Sequence, residues 1–166
     1  MDNKTKFVLG LKYGLILVVI AILINSANYL VSRLLNLPIE DPNNDSPVMD
    51  LLKSASRNPS TFLFIILYIT VLAPLVEESI FRWVPIRLTK FFTDSKVVLW
   101  SVVVIFSIIF GSLHGDPASM LIAGVAGLLL SNVFLKGGMI SSWTAHTFFN
   151  SVGVTVALIH MYFFKN

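Results

Sequence analysis

A long uncharged segment followed directly by a cluster of charges is the strongest constraint in this sequence. The sixteen residues from Thr61 to Val76 carry no charge, and Glu-Glu-Ser-Ile-Phe-Arg follows at 77–82. A segment of this kind is typical of a membrane-embedded helix, in which ionised side chains are costly and usually face the bundle interior. Because such charges generally serve a function, residues 77–82 predict a functional site inside a membrane protein.

The composition agrees with a membrane protein over the whole chain. Hydrophobic residues make up 55% and charged residues 13% of the 166 residues, whereas a soluble domain is about 25% charged. We therefore predict an all-α, polytopic membrane bundle forming a single domain, 1–166. The net charge of +3 is expected to set orientation in the membrane, not to bind nucleic acid. With no cysteine, neither disulfides nor thiolate chemistry is available.

The hydrophobic segments predict about five transmembrane helices. A peripheral first helix covers 7–35, and a proline-rich solvated loop covers 36–60, in which Val48–Ala55 is a candidate interfacial helix. The remaining four helices form a four-helix core, 61–164, with predicted spans of 61–92, 97–113, 118–134 and 140–164. Lys136, Gly137 and Gly138 are predicted to turn the chain between the last two.

Helical spacing distinguishes the two adjacent glutamates. Glu78 and Arg82 are four residues apart, so they share a helical face and can pair. Glu77 is about 100° around the helix from Glu78, so that pair does not hold it. We therefore predict Glu77 as a general base and Glu78 as the structural partner of Arg82.

Two further polar sites lie in later apolar helices. Phe110 and His114, four residues apart, end the third helix, and we expect the phenyl ring to pack against the imidazole. His146 and Asn150 share a face of the last helix. By residue type, His114 suits positioning of a water molecule, and His146 with Asn150 suits donation to an oxyanion. Straight helices place His114 far from Glu77, so the predicted site closes only if the third helix tilts or its end lies in a cavity.

These three motifs, in this order on separate apolar helices, resemble the CAAX protease and bacteriocin-processing (CPBP, or Abi) family of intramembrane proteases. The motifs are Glu-Glu-x-x-x-Arg at 77–82, Phe-x-x-x-His at 110–114 and His-x-x-x-Asn at 146–150. The resemblance covers about residues 61–160. It implies a glutamate-type endopeptidase without a metal, acting on a peptide or protein at the membrane. In eukaryotic members the substrate is a prenylated C-terminus, and bacterial members suggest peptide maturation or bacteriocin self-immunity.

The resemblance also implies a role for each motif residue. The first glutamate and the middle histidine, Glu77 and His114, activate water. The last histidine and the asparagine, His146 and Asn150, hold the oxyanion. The second glutamate and the arginine, Glu78 and Arg82, support the site.

Two other functions remain open from the residues alone. A zinc protease could use His114, His146 and Glu77 as ligands with an open water position, although the sequence lacks His-Glu-x-x-His. A non-catalytic scaffold, an immunity-type protein or a proton-coupled carrier could use the same buried polar groups, since intramembrane Glu and His also mark proton relays.

The distribution of lysine and arginine predicts the orientation. The seven residues predicted on one side are Lys4, Lys6, Lys12, Arg87, Lys90, Lys96 and Lys136, against Arg33, Lys53, Arg57 and Lys165 on the other. The side richer in positive charge is expected to be cytoplasmic, which places the N-terminus inside. The expected location is the plasma membrane of a prokaryote. Membrane lipid and a peptide or protein substrate are the expected partners, and the oligomeric state is left open.

Overall fold

The computed structural model describes residues 1–36 and 47–163 and shows an all-α architecture in this part of the chain. Three described helices are long and apolar enough to cross a membrane, namely Asn3–Leu34 (α1), Pro59–Phe92 (α3) and Pro117–Phe163 (α5). Lys96–Ser112 (α4) is a shorter apolar helix, and Pro47–Ala55 (α2) is short and amphipathic. The prediction of an all-α membrane bundle is confirmed.

Helix α1 packs lengthwise against α5. Its first turn is capped by Asp2, whose carboxylate accepts from the Thr5 amide at 2.7 Å. Gly10 allows a close approach, since a Cβ there would lie 2.6 Å from the carbonyl oxygen of Ser141. Leu17 is buried in the same core cluster as Leu130. The first helix was predicted to be peripheral, but it contributes to the core. It begins four residues earlier than predicted.

The predicted solvated loop is only partly described, because 37–46 lie outside the described residues. Helix α2 buries Met49 and Leu52, three residues apart on one face, in a cluster with Ala157 of α5. Helix α2 therefore lies where Val48–Ala55 was a candidate interfacial helix, and one of its faces is buried where the loop was predicted to be solvated. Asn58 then caps α3 by accepting from the backbone amides of residues 60 and 61 at 3.0 and 3.2 Å.

Helix α3 contains two π-helical turns, Tyr68–Leu72 and Ser79–Trp83. Each turn ends two residues before a proline, Pro74 or Pro85. A proline ring clashes with the carbonyl four residues earlier, and the wider π register relieves that contact. The two prolines therefore account for the local widening on either side of the glutamates.

Helix α5 joins the two helices predicted at 118–134 and 140–164. The break is confined to Gly138, whose φ of 73° and ψ of −165° are not helical. Because this φ favours glycine, one residue is enough to change the direction of the helix. Residue 164 lies outside the described residues.

Candidate active site

Glu78 is the centre of a buried network between α3 and α5. Its Oε1 lies 3.0 Å from Nη1 of Arg82 and 2.9 Å from Nδ1 of His146. The hydroxyl of Ser142 donates to the other carboxylate oxygen. A fully buried carboxylate is tolerated when an opposite charge and hydrogen bonds replace its hydration. Glu78 and Arg82 are therefore paired, as their four-residue spacing predicts.

The guanidinium of Arg82 is held by charge and by an aromatic face. The side chain is 1% exposed, and its Cζ lies 4.2 Å from the centroid of the Phe110 ring. Nη1 faces Glu78 outside hydrogen-bonding geometry, and Nη2 has no hydrogen-bond partner among the described residues. A desolvated cation over an aromatic face contributes about 2 kcal/mol. Phe110 thus helps to stabilise the buried charge.

Glu77 lies in a different environment from its neighbour. Its side chain is 33% exposed, and its Oε2 lies 3.5 Å from Nε2 of His146. That separation is longer than an ordinary N–H···O hydrogen bond. The carboxylate of Glu78 is therefore fully occupied by its partners, whereas the carboxylate of Glu77 is partly exposed.

The ring of His146 lies between the two carboxylates. An ionised carboxylate can only accept, so we assign the hydrogen on Nδ1 to the bond with Glu78. In a neutral ring, the Nε2 lone pair then faces the carboxylate of Glu77. Glu77 and His146 thus present two proton acceptors side by side next to an accessible surface.

Asn150 supports the backbone of α3. Its Nδ2 donates to the Ile69 carbonyl at 3.0 Å. In the π register the amide of Ala73 bonds to the Tyr68 carbonyl five residues earlier, so the next carbonyl, Ile69, would face Pro74, which has no N–H. Asn150 supplies this missing donor, and one of its two amide hydrogens remains uncommitted.

His114 follows the end of α4 and reaches the site through Phe110. Its Nδ1 lies 2.8 Å from the Phe110 carbonyl oxygen, and the two rings are 4.8 Å apart between centroids. The Phe110 ring also meets the His146 ring edge-on at 5.9 Å. In the described part of the chain, neither a hydrogen bond nor an ion pair joins His114 to Glu77. The structure therefore brings Glu77 and His146 into contact and places His114 on the other side of a phenyl ring.

The described residues offer no ready cluster for a metal ion. Within 1–36 and 47–163, no group of three His, Cys, Asp or Glu side chains is gathered closely enough to hold one. The alternative set of His114, His146 and Glu77 is thus not assembled as zinc ligands in this arrangement.

Sequence reasoning missed two contributors from α5. Ser142 donates to Glu78, and the indole of Trp143 donates to the Val71 carbonyl at 3.1 Å. Spacing contained the signal for the serine, because Ser142, His146 and Asn150 recur every four residues on one helical face. The indole contact had no sequence signal, because it depends on the π turn.

Fold and site together define an integral membrane protein with a buried carboxylate–histidine network at the junction of its apolar helices. The family model described as Type II CAAX prenyl endopeptidase Rce1-like matches residues 59–152. The chain belongs to this family, which is a family of membrane endopeptidases, and the predicted resemblance is confirmed. The match begins at the first residue of α3 and excludes α1 and α2. Comparison with curated proteins and with solved structures gives no match.

Proposed function

We propose that this protein is an intramembrane endopeptidase of glutamate type, working without a metal on a membrane-associated peptide or protein. The observation that carries the proposal is the unequal environment of Glu77 and Glu78. Glu78 is fully buried and engaged by three side chains, whereas Glu77 is one-third exposed. An accessible carboxylate beside a buried charged network suits a general base, since a base must reach the proton that it removes.

In the proposed reaction, Glu77 takes a proton from water as the water oxygen attacks the scissile carbonyl carbon. The carbonyl electron pair moves to oxygen and forms an oxyanion. Glu77 then delivers the proton to the amide nitrogen as the C–N bond breaks, which releases a carboxyl group and an amine. The contact of 3.5 Å between Glu77 and His146 supports this role, because the imidazole can share the transferred proton.

His114 is proposed to position the attacking water. With Nδ1 bonded to the Phe110 carbonyl, a neutral ring presents Nε2 as an acceptor. The uncommitted amide hydrogen of Asn150 is proposed to stabilise the oxyanion, together with Nε2 of His146 while that nitrogen shares the proton taken up by Glu77. Loss of one such donor typically costs about 3–4 kcal/mol in transition-state stabilisation.

The test compares N-termini of membrane peptides from cells carrying wild-type protein with those from cells carrying Glu77→Gln at equal abundance. Glu77→Gln preserves shape and removes the base, so termini made by this protein should disappear. Asp94→Asn removes an exposed acid between α3 and α4 and should leave them unchanged. If Glu77→Gln leaves every terminus in place while the protein is folded and in the membrane, a non-catalytic scaffold or bacteriocin-immunity role replaces the proposal.

Metal independence has a separate test. Purified active protein should contain less than one equivalent of zinc, and chelation should leave peptide hydrolysis unchanged. Stoichiometric zinc whose removal abolishes hydrolysis would instead favour the His114, His146 and Glu77 ligand set. We further propose that the protein lies in a prokaryotic plasma membrane with its N-terminus in the cytoplasm.

A further inference from the structure

A second polar feature, separate from the glutamate–histidine network, lies where α3 ends and α5 breaks. A cavity of about 780 Å³ opens between the last turns of α3 and Gly138. Sites for small ligands are typically 300–1,000 Å³, so this cavity has room for a lipid headgroup and the upper part of its acyl chains. Residues of the proposed reaction do not line it.

The lining combines an apolar floor with two cations. Phe134 and Met139 of α5 and Trp83 of α3 contribute apolar surface to the lining. Arg87 and Lys90 are the charged residues of the lining. Both are exposed, and neither forms an ion pair with any described residue. The cavity therefore offers two unneutralised positive charges above apolar surface.

The surroundings place this cavity at the edge of the hydrocarbon layer. The exposed ring of Trp83 lies within the last three turns of α3. Tryptophan side chains gather at the level of lipid headgroups, where Arg and Lys also extend toward phosphate. Basic pockets between transmembrane helices are sites for anionic headgroups.

We infer that the cavity between the end of α3 and Gly138 binds an anionic phospholipid, with Arg87 and Lys90 on its phosphate and its acyl chains along Phe134 and Met139. The charge pattern selects this occupant, because a zwitterionic lipid would bring a second cation toward two residues that are already positive. The inference is independent of the proposed hydrolysis, and its test requires no substrate.

The experiment uses full-length protein in nanodiscs of equimolar phosphatidylglycerol and phosphatidylcholine, followed by native mass spectrometry of the lipids that remain bound. Wild-type protein should retain phosphatidylglycerol in preference to phosphatidylcholine. Arg87→Gln with Lys90→Gln should weaken this retention about twenty-fivefold, since each surface cation contributes about fivefold. Inorganic phosphate should not displace the lipid, because it lacks the acyl chains.

The matched control is Lys4→Gln with Lys12→Gln, which removes the same charge from exposed positions of α1. It should leave retention unchanged, and Arg87→Lys with Lys90→Arg should preserve it. Equal retention of both lipids by wild-type protein would overturn the inference, whatever the variants do. If the cavity variant and the control lose phosphatidylglycerol equally, Arg87 and Lys90 act only as nonspecific interfacial anchors. That result would also overturn the inference.

Discussion

Two adjacent residues of one type have different environments because a helix separates their side chains by about 100°. Glu78 is buried between α3 and α5, where Arg82 of its own helix and His146 and Ser142 of α5 replace its water. Glu77 points partly outward and lies 3.5 Å from His146. The division could be predicted from spacing alone, because Arg82 four residues later selects the second glutamate.

Replacing Ser142 tests how much its hydrogen bond to Glu78 contributes to the stability of the protein. We expect Ser142→Ala to lower the free energy of unfolding by about 1–3 kcal/mol, because a buried acceptor on Glu78 loses its donor. Thermal unfolding in detergent micelles measures the change. Ser107→Ala is the matched control, since that buried hydroxyl donates to the Val103 carbonyl of its own helix at 2.7 Å. Equal losses from the two substitutions would contradict a specific role for Ser142.

At the scale of elements, a side chain of α5 supplies a hydrogen bond that the backbone of α3 lacks. Pro74 leaves the Ile69 carbonyl without a backbone donor, and the side-chain amide of Asn150 donates to this carbonyl instead. We expect Asn150→Ala to destabilise the protein by about 1–3 kcal/mol. In a Pro74→Ala background, the new amide of residue 74 can bond to Ile69, so the cost of Asn150→Ala should fall by about 1 kcal/mol.

A double-mutant cycle on unfolding free energies measures this coupling. The control cycle replaces Pro74→Ala by Pro85→Ala, the same change beside the other π turn, and should be additive with Asn150→Ala to within about 0.5 kcal/mol. Additivity in both cycles would show that Asn150 does not substitute for the missing backbone donor. The readout is stability, so it is distinct from the proposed catalytic use of Asn150.

The start of α5 carries a pH-dependent cap. Burial by itself raises the pKa of Asp116, but hydrogen bonds from Ser119 and Ala118 outweigh it and hold the pKa below its usual value of 3.8. Because the folded pKa is the lower one, the stabilisation is present above pH 3.8 and is lost as the pH falls through the folded pKa. At neutral pH, Asp116→Ala should cost about 1 kcal/mol.

Asp116→Asn keeps a capping side chain at the start of α5 but removes the carboxyl group that is protonated at low pH. The amide oxygen can still accept from the helix amides, so neutral-pH stability should be nearly unchanged. Unfolding temperatures recorded from neutral pH to about pH 3 should then fall less steeply than in wild type. A parallel decline in both proteins would assign the acid sensitivity to other carboxylates.

The elements differ in how much of them the sequence could predict. Apolar runs identified the long helices to within a few residues, because burial in lipid requires uninterrupted hydrophobic segments. The turn expected around Lys136 became a break at Gly138 alone, since glycine can adopt the required φ without a loop. Contacts that depend on a π turn, such as Trp143 to Val71, follow from backbone detail that periodicity does not encode.

At the scale of the whole molecule, the candidate site depends on the meeting of three helices. Glu77, Glu78 and Arg82 come from α3, and His146 and Asn150 from α5. Phe110 of α4 fills the space between the two histidines. The spacing within the first motif predicted the pair of Glu78 and Arg82. The motifs did not predict that His146 would face the glutamates, because ring orientation depends on how the helices pack.

The charge bias predicts how this assembly crosses the membrane, and the absence of cysteine makes the test direct. Ser56→Cys lies between α2 and α3, and Asp94→Cys lies between α3 and α4; both positions are exposed. With the more positive side in the cytoplasm, an impermeant maleimide should label Ser56→Cys in intact cells and Asp94→Cys only after lysis. The reverse pattern would place the cations of the proposed lipid site in the outer leaflet, and labelling of both in intact cells would mean that α3 does not cross.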